Sequence, residues 1–252
     1  MDVFVLDWAR GYITRLTTHA GRDIAPVWTP NGKRIVYGSD RSGRMPNLYW
    51  QAADGSNTEE QLTTSPHWQV PVSWSKNGET LFFGEQDPKT SWDIYALALR
   101  ERAGNPEPRP LVRTTADERM PVLSPDERWL AYHSTDRGTS QILVRPYPNV
   151  DSEVHTVATG VWPRWAPDGR SIYYWWDGKI FRVPVTTSPQ FKFEQPEEII
   201  RGVPGNPDNN LYDLAPGGTR FLVLKDDAEA AAEYRMVQNW LEELKRRVAP
   251  RR

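Results

Sequence analysis

One phrase recurs four times between residues 26 and 169: a proline, one or two apolar residues, a turn of the Ser/Ala-Pro-Asp-Gly type, then a strand. It reads Pro26-Val27-Trp28-Thr29-Pro30-Asn31-Gly32, then Pro71-Val72-Ser73-Trp74-Ser75-Lys76-Asn77-Gly78. It returns as Pro121-Val122-Leu123-Ser124-Pro125-Asp126-Glu127 and as Pro163-Arg164-Trp165-Ala166-Pro167-Asp168-Gly169. A fifth, degenerate copy is Leu211-Tyr212-Asp213-Leu214-Ala215-Pro216-Gly217-Gly218. Successive turns lie roughly 42 to 49 residues apart, the length of a four-stranded propeller blade. Proline presets the first turn position, Asp or Asn bonds its own backbone, and glycine accepts positive φ, so each copy predicts a hairpin. A phosphate loop is not expected, since the glycines are single and no helix start follows them.

After each turn comes a short run rich in β-branched and aromatic residues: Ile35-Val36-Tyr37, Leu81-Phe82-Phe83, Leu130-Ala131-Tyr132, Ile172-Tyr173-Tyr174 and Phe221-Leu222-Val223. A second turn follows (Ser39-Asp40-Arg41-Ser42-Gly43, Ser134-Thr135-Asp136-Arg137-Gly138, Trp176-Asp177-Gly178-Lys179), then third strands at 47–50, 93–97, 141–144 and 179–183. Weaker fourth strands are expected at 61–63, 110–112, 154–157 and 198–200. The sum is an all-β propeller of four-stranded antiparallel blades.

Residues 2–17 match only the third and fourth strands of the repeat, and 211–224 only the first two. The expected domain is therefore 1–240, with 1–17 completing the blade begun by 205–225. That gives five blades. The run Tyr234–Trp240 also reads as a third strand, so six blades with one incomplete is the alternative. Residues 241–252 read as a short helix with a basic tail, acid first and base last in the sense the helix dipole favours.

Charge is nearly balanced, 31 basic against 33 acidic residues, so bulk electrostatics give no reason to expect nucleic acid or an anionic membrane. Cysteine is absent, which excludes disulfides, thiolate metal sites and Cys nucleophiles. No apolar run reaches the ~20 residues that span a bilayer, and the start lacks a signal-peptide pattern. The expectation is a soluble monomer. Of the twelve tryptophans, several fall at repeat-equivalent positions, which points to blade packing.

With the repeat laid out, the chain resembles the TolB-like, WD-related β-propeller family. The residues that carry the resemblance are Trp28-Thr29-Pro30-Asn31-Gly32-Lys33, Trp165-Ala166-Pro167-Asp168-Gly169-Arg170 and the Ser-Asp-Arg-x-Gly turn at 39–43. It is most similar to propellers found C-terminal to some bacterial serine/threonine kinases, in segments such as Asp2–Asp7, Thr14–Thr17 and Gln238–Lys245. No kinase motif accompanies it. The chain starts mid-blade relative to the family, so the family's usual six blades do not transfer directly. The resemblance implies a bacterial protein whose relatives are often periplasmic or extracytoplasmic.

Chemistry-bearing patterns are sparse. The four histidines (His19, His67, His133, His155) lack the i, i+4 spacing of a helical metal site, and no Gly-x-Ser-x-Gly elbow occurs. Polar turns at Asp136, Asp177 and 208–210 leave calcium open, though none has the EF-hand pattern. No other cofactor is expected. What remains is a surface: loops before the inner strands and the Ser-Asp-Arg turns would gather at one mouth of the propeller. Arg41, His67, Trp68, Gln69, Glu118, Arg119, Arg137 and Trp162 are the candidate interaction residues, Arg and Trp being enriched in binding hot spots. For Arg41 and Arg137 the alternative is a bracing role, pairing with Asp40 and Asp136. The reading is a non-catalytic scaffold for a protein or peptide partner. A propeller hydrolase or lyase acting on a carbohydrate or lactone in the central channel is the alternative.

Overall fold

The computed structural model describes residues 1–223, apart from 8, 57, 58, 100–106, 137, 206–211 and 216. The expected strand at 234–240, the helix and basic tail at 241–252, and Arg137 lie outside the described residues. The chain divides into two compact units, 1–165 and 166–252.

In the first unit, β1 (Phe4–Asp7) and β2 (Tyr12–Arg15) form a two-stranded antiparallel sheet. Three four-stranded antiparallel sheets follow in chain order. The first holds β3 (Asp23–Trp28), β4 (Arg34–Ser39), β5 (Asn47–Ala52) and β6 (Glu60–Gln61). The second holds β7 (Trp68–Trp74), β8 (Thr80–Asp87), β9 (Ser91–Ala98) and β10 (Arg109–Val112). The third holds β11 (Glu118–Leu123), β12 (Trp129–Ser134), β13 (Gln141–Pro146) and β14 (His155–Thr159), and β15 (Val161–Trp165) ends the unit. Neighbouring sheets meet along their first strands, β3 beside β7, β7 beside β11 and β11 beside β15.

The repeated turn builds as its residues dictate. In four copies and the degenerate fifth, the fourth residue's N–H donates to the carbonyl of the first: Gly32 to Thr29, Gly78 to Ser75, Glu127 to Ser124, Gly169 to Ala166 and Gly218 to Ala215, at 2.8–2.9 Å. That residue has φ between 57° and 72° in every copy, which glycine adopts without steric cost. The hydroxyls of Thr29, Ser75 and Ser124 donate to Asn31, Asn77 and Asp126 at 2.5–2.8 Å, closing the turn from inside. Glu127 is the one copy that is not glycine. Its carboxylate accepts the Lys76 N–H at 2.6 Å, tying two turns together.

In the three four-stranded sheets of this unit the second strand is buried on both faces, which is why it reads as an unbroken apolar run. Ile35 and Tyr37 pack towards Val3, Val5 and Leu16, whereas Val36, between them, packs with Leu81, Phe83 and Leu97 of the next sheet. Phe82 turns the other way, onto Leu130, Tyr132 and Leu143. The repeat-equivalent tryptophans differ for the same reason. Trp165 is 8% exposed and its indole N–H donates to Val122 O on the preceding first strand at 3.2 Å. Trp28, which follows the two-stranded β1–β2 sheet, is 49% exposed.

The loop end of each sheet, where the first strand begins and the second ends, is anchored by buried polar groups. Asp23, Gln69 and Glu118 occupy one register position, opposite Ser39, Glu85 and Ser134, and each is 2% exposed or less. The Thr63 hydroxyl donates to Gln69, and the Thr114 hydroxyl donates to Glu118. Burial pushes the Glu118 carboxyl above its ordinary range. Beside it, buried His133 accepts the Trp162 N–H on Nδ1 at 3.2 Å. Burial, with Arg119 nearby, lowers its pKa to about 3, so the imidazole is neutral in the folded protein.

In the second unit, β16 (Ser171–Trp176) pairs with β17 (Lys179–Thr186), and β17 pairs with both β18 (Lys192–Phe193) and β19 (Glu197–Arg201). The Asp177-Gly178 turn between β16 and β17 has positive φ at both residues, the form that suits a two-residue hairpin. Strand β18 was not expected from the sequence. β20 (Tyr212–Leu214) and β21 (Phe221–Val223) form a two-stranded sheet.

Trp165→Ala should cost about 3–5 kcal/mol of stability, because it empties a packed site and removes the indole bond to Val122 O; chemical denaturation measures this. Glu118→Gln should be neutral or stabilising at pH 7, since Gln69 fills the equivalent position and an amide carries no charge to bury. Thr114→Val, which removes a donor from the buried carboxylate, should cost about 1–3 kcal/mol. For His133 the sign is set by the unfolded chain, which binds a proton below pH 6.5 while the folded imidazole does not until near 3. Stability from this group is therefore complete above 6.5 and falls on acidification, by up to about 1.4 kcal/mol per pH unit. His133→Gln should flatten melting temperature between pH 6.5 and 4 relative to the unsubstituted chain.

Candidate functional site

The loop end of the first unit gathers most of the described candidates, but places them in two layers. Four are buried. Arg41 keeps 9% side-chain exposure: it donates to Ser39 Oγ at 2.8 Å and to Asp23 Oδ1 at 3.1 Å, pairs with Glu59, and lies 4.8 Å from the Tyr49 ring. Asp40 pairs instead with Arg22, at 2.8 Å, and the hydrogen bond from that guanidinium holds its carboxyl below the usual range. Arg41 thus braces its blade, through Asp23 and Glu59 rather than through Asp40. Among buried Arg41, Asp23 and Tyr49, burial pushes the Tyr37 phenol up to about 12. Gln69 is fixed between Thr63 and Glu85, donating to Glu85 Oε2 at 2.6 Å. Glu118 is held by Thr114, and Trp162 is 1% exposed, packed in the interior with its φ at +56°.

Three candidates reach the surface layer. His67 is partly exposed, with Nδ1 3.4 Å from Glu85 Oε1. Trp68 carries the Arg22 guanidinium over its ring at 5.6 Å. Arg119 lies over Trp92 at 5.0 Å and donates to Asp117 Oδ2 at 3.1 Å. Arg137 lies outside the described residues.

The hairpin between β8 and β9 supplies what sequence reasoning passed over. At the place where the preceding sheet carries Ser39-Asp40-Arg41-Ser42-Gly43 and the following one Ser134-Thr135-Asp136-Arg137-Gly138, this one has Gln86-Asp87-Pro88-Lys89-Thr90. Asp87 accepts the Lys89 N–H at 2.8 Å and pairs with Arg113 at 2.7 Å, and the N–H bond holds its carboxyl low. Thr90 donates to Asp93 Oδ2 at 2.6 Å, and the Ser91 hydroxyl donates to Asp117. Burial works against the Asp117 charge, yet the Ser91 bond and Arg119 together hold its carboxyl low. Burial wins at Asp93, which is raised. A groove of about 410 Å³ runs between this hairpin and Met45, Pro66, His67 and Trp68. The signal that could have exposed it was the departure of the 86–90 turn from its repeat.

Among the described residues, no group of three or more His, Asp or Glu side chains is placed to hold a metal ion. No helix among them is long and apolar enough to cross a membrane.

The family model for the TolB beta propeller domain matches residues 1–143. The chain is 26% identical over 162 residues to the uncharacterized peptidase YuxL of Bacillus subtilis (strain 168), covering 52% of this chain and 24% of that one. It spans less than a third of the length of the curated relatives it matches. The structure of TolB from Acinetobacter baumannii superposes with a TM-score of 0.65 at 18% identity, over 87% of this chain and 52% of that one. An oligogalacturonate lyase in complex with manganese superposes with a TM-score of 0.59 at 15% identity, over 90% and 65%. At such identities the likeness is one of fold, and the fold is an all-β propeller built of four-stranded antiparallel sheets. With more than half its length matched by one family model, the chain belongs to the TolB beta propeller domain family.

Proposed function

We propose that this chain is a non-catalytic scaffold that presents the loop end of its first unit to a protein partner. The observation that carries the reading is the pair of guanidinium-on-indole stacks at that end, Arg22 on Trp68 and Arg119 on Trp92. Arg and Trp are the side chains that most often dominate binding energy, and stacking presents them already ordered. The acidic groups beneath are taken up in holding loops: Asp23 by Arg41, Glu85 by Gln69, Asp117 by Ser91 and Arg119, Glu118 by Thr114. A partner therefore meets a surface whose loops need little further ordering. His67, Trp68 and Arg119 are the candidates that serve this role directly. Arg41, Gln69, Glu118 and Trp162 support it from below.

The alternative is catalysis on a carbohydrate or lactone; one structural neighbour is named as an oligogalacturonate lyase. The two readings separate in one set of measurements. A partner captured by the purified chain is identified, purified and titrated against it; Arg119→Ala and Trp68→Ala should each weaken the complex at least about tenfold, the loss of ~1.4 kcal/mol expected at a hot spot, with melting temperature unchanged. Equal affinity of both variants would overturn the reading. So would turnover of oligogalacturonate or a sugar lactone by the chain with manganese present.

A further inference from the structure

We infer that the cavity at the loop end of the third sheet receives the guanidinium of an arginine side chain from the protein partner. This rests on the scaffold reading above and names one contact of that partner. The first sheet shows what such a place holds. There Arg41 fills it from within: it donates to Ser39 Oγ and Asp23 Oδ1, pairs with Glu59, and lies over the rings of Tyr37 and Tyr49 at 5.6 and 4.8 Å.

The third sheet repeats these surroundings and omits the arginine. Glu118 stands at the register position of Asp23, opposite Ser134 where the first sheet has Ser39. Tyr132 pairs with Leu143 across β12 and β13, as Tyr37 pairs with Tyr49 across β4 and β5. The turns that follow also correspond, since the Gly43 N–H donates to Asp40 O and the Gly138 N–H to Thr135 O. Arg41 is the second residue of one turn, and Asp136 the second residue of the other. Glu118, Tyr132, Ser134, Asp136 and Leu143 all line a cavity of about 100 Å³. That is well below the ~300–1,000 Å³ of pockets that enclose whole ligands, and it suits the end of one side chain.

The charge of the lining selects which side chain. It holds two carboxylates, Glu118 and Asp136, against one guanidinium, that of Arg145. Arg145 is spent on the Tyr132 hydroxyl at 2.6 Å and Val150 O at 2.9 Å, and its pull on Glu118 is outweighed by burial. Glu118 is buried and accepts the hydroxyl and N–H of Thr114, whereas Asp136 is exposed. Neither carboxylate is in an ion pair among the described residues. An incoming guanidinium pairs with Asp136, lies in the field of Glu118 and covers Leu143 and Tyr132 as Arg41 covers Tyr49 and Tyr37. Val154, 49% exposed, lines the cavity where the first sheet has Glu59, and offers an apolar contact to the arginine stem. A planar, weakly hydrated guanidinium enters such a half-apolar site more readily than an ammonium.

The test titrates the intact, isotopically labelled protein with the peptide acetyl-Gly-Arg-Gly-amide, followed by NMR. A second peptide carries citrulline, which keeps the shape of arginine and lacks its charge. The arginine peptide should shift the resonances of Tyr132, Leu143 and Thr156, and the citrulline peptide should bind at least about tenfold more weakly. Asp136→Asn, with melting temperature unchanged, should weaken the arginine peptide at least about fivefold. Asp136→Arg, which restores the arrangement of the first sheet, should abolish binding without lowering the melting temperature. No saturable binding, shifts confined to other residues, equal affinity for citrulline, or indifference to Asp136→Asn would each overturn the inference. The scaffold reading would survive that failure if a captured partner still lost affinity with Arg119→Ala and Trp68→Ala.

Discussion

The second strand of each four-stranded sheet in the first unit is covered on both faces, and the rest of that unit is arranged around that fact. Ile35 and Tyr37 serve one inter-sheet core and Val36 the next, and Leu81 and Phe83 alternate with Phe82 in the same way. A strand with no solvent face has no place for a polar side chain until it reaches its ends. One end is closed by the repeated turn, which uses its own hydroxyl and amide groups. The other, the loop end, must satisfy whatever polar groups the strands bring into the interior, because an unpaired buried charge is far more costly than a paired one. Asp23, Gln69 and Glu118 stand at that boundary in one register, and each is met by a hydrogen-bond donor from a neighbouring segment.

That requirement sorts the charged residues of the loop end into two populations. Those beneath, such as Arg41, Asp93 and Glu118, bind loops to the sheet ends and are not available to a ligand. Those above, such as Lys89 and Arg119, are displayed by loops that the first population has fixed. The rigidity of the display follows from burial below it. Trp68 belongs to both layers, with its ring in the groove and its N–H enclosed.

The sequence disclosed the blades because turn and strand signals are local. Thr29-Pro30-Asn31-Gly32 needs nothing outside itself to close, and Ile35-Val36-Tyr37 is apolar whichever neighbours it meets. The depth of loop-end side chains was not legible, because it depends on the adjacent sheet and on distant partners. Arg41 finds Glu59 eighteen residues away, and no spacing rule connects them. Trp162 looks like a loop tryptophan until β11 and β12 are packed beside it and His133 accepts its N–H. Trp28 shows the converse: its sequence context matches Trp165, yet it is exposed, because the sheet before it has two strands rather than four.

Perturbed ionisation is often the mark of a catalytic group, and Glu118 and Asp93, both pushed up by burial, would attract that reading. Their geometry argues otherwise. A general acid must touch its substrate, and Glu118 is 2% exposed with one oxygen accepting the Thr114 hydroxyl and the other facing the Thr114 N–H at 3.3 Å. Asp93 is 0% exposed and is engaged by Thr90 at 2.6 Å and Arg113 at 3.4 Å. At both positions the shift records the cost of carrying a carboxylate into the boundary layer, and the bonds that offset the cost hold loops. The same physics that a catalytic site uses to tune an acid is used here to fix the loops at this end of the sheets.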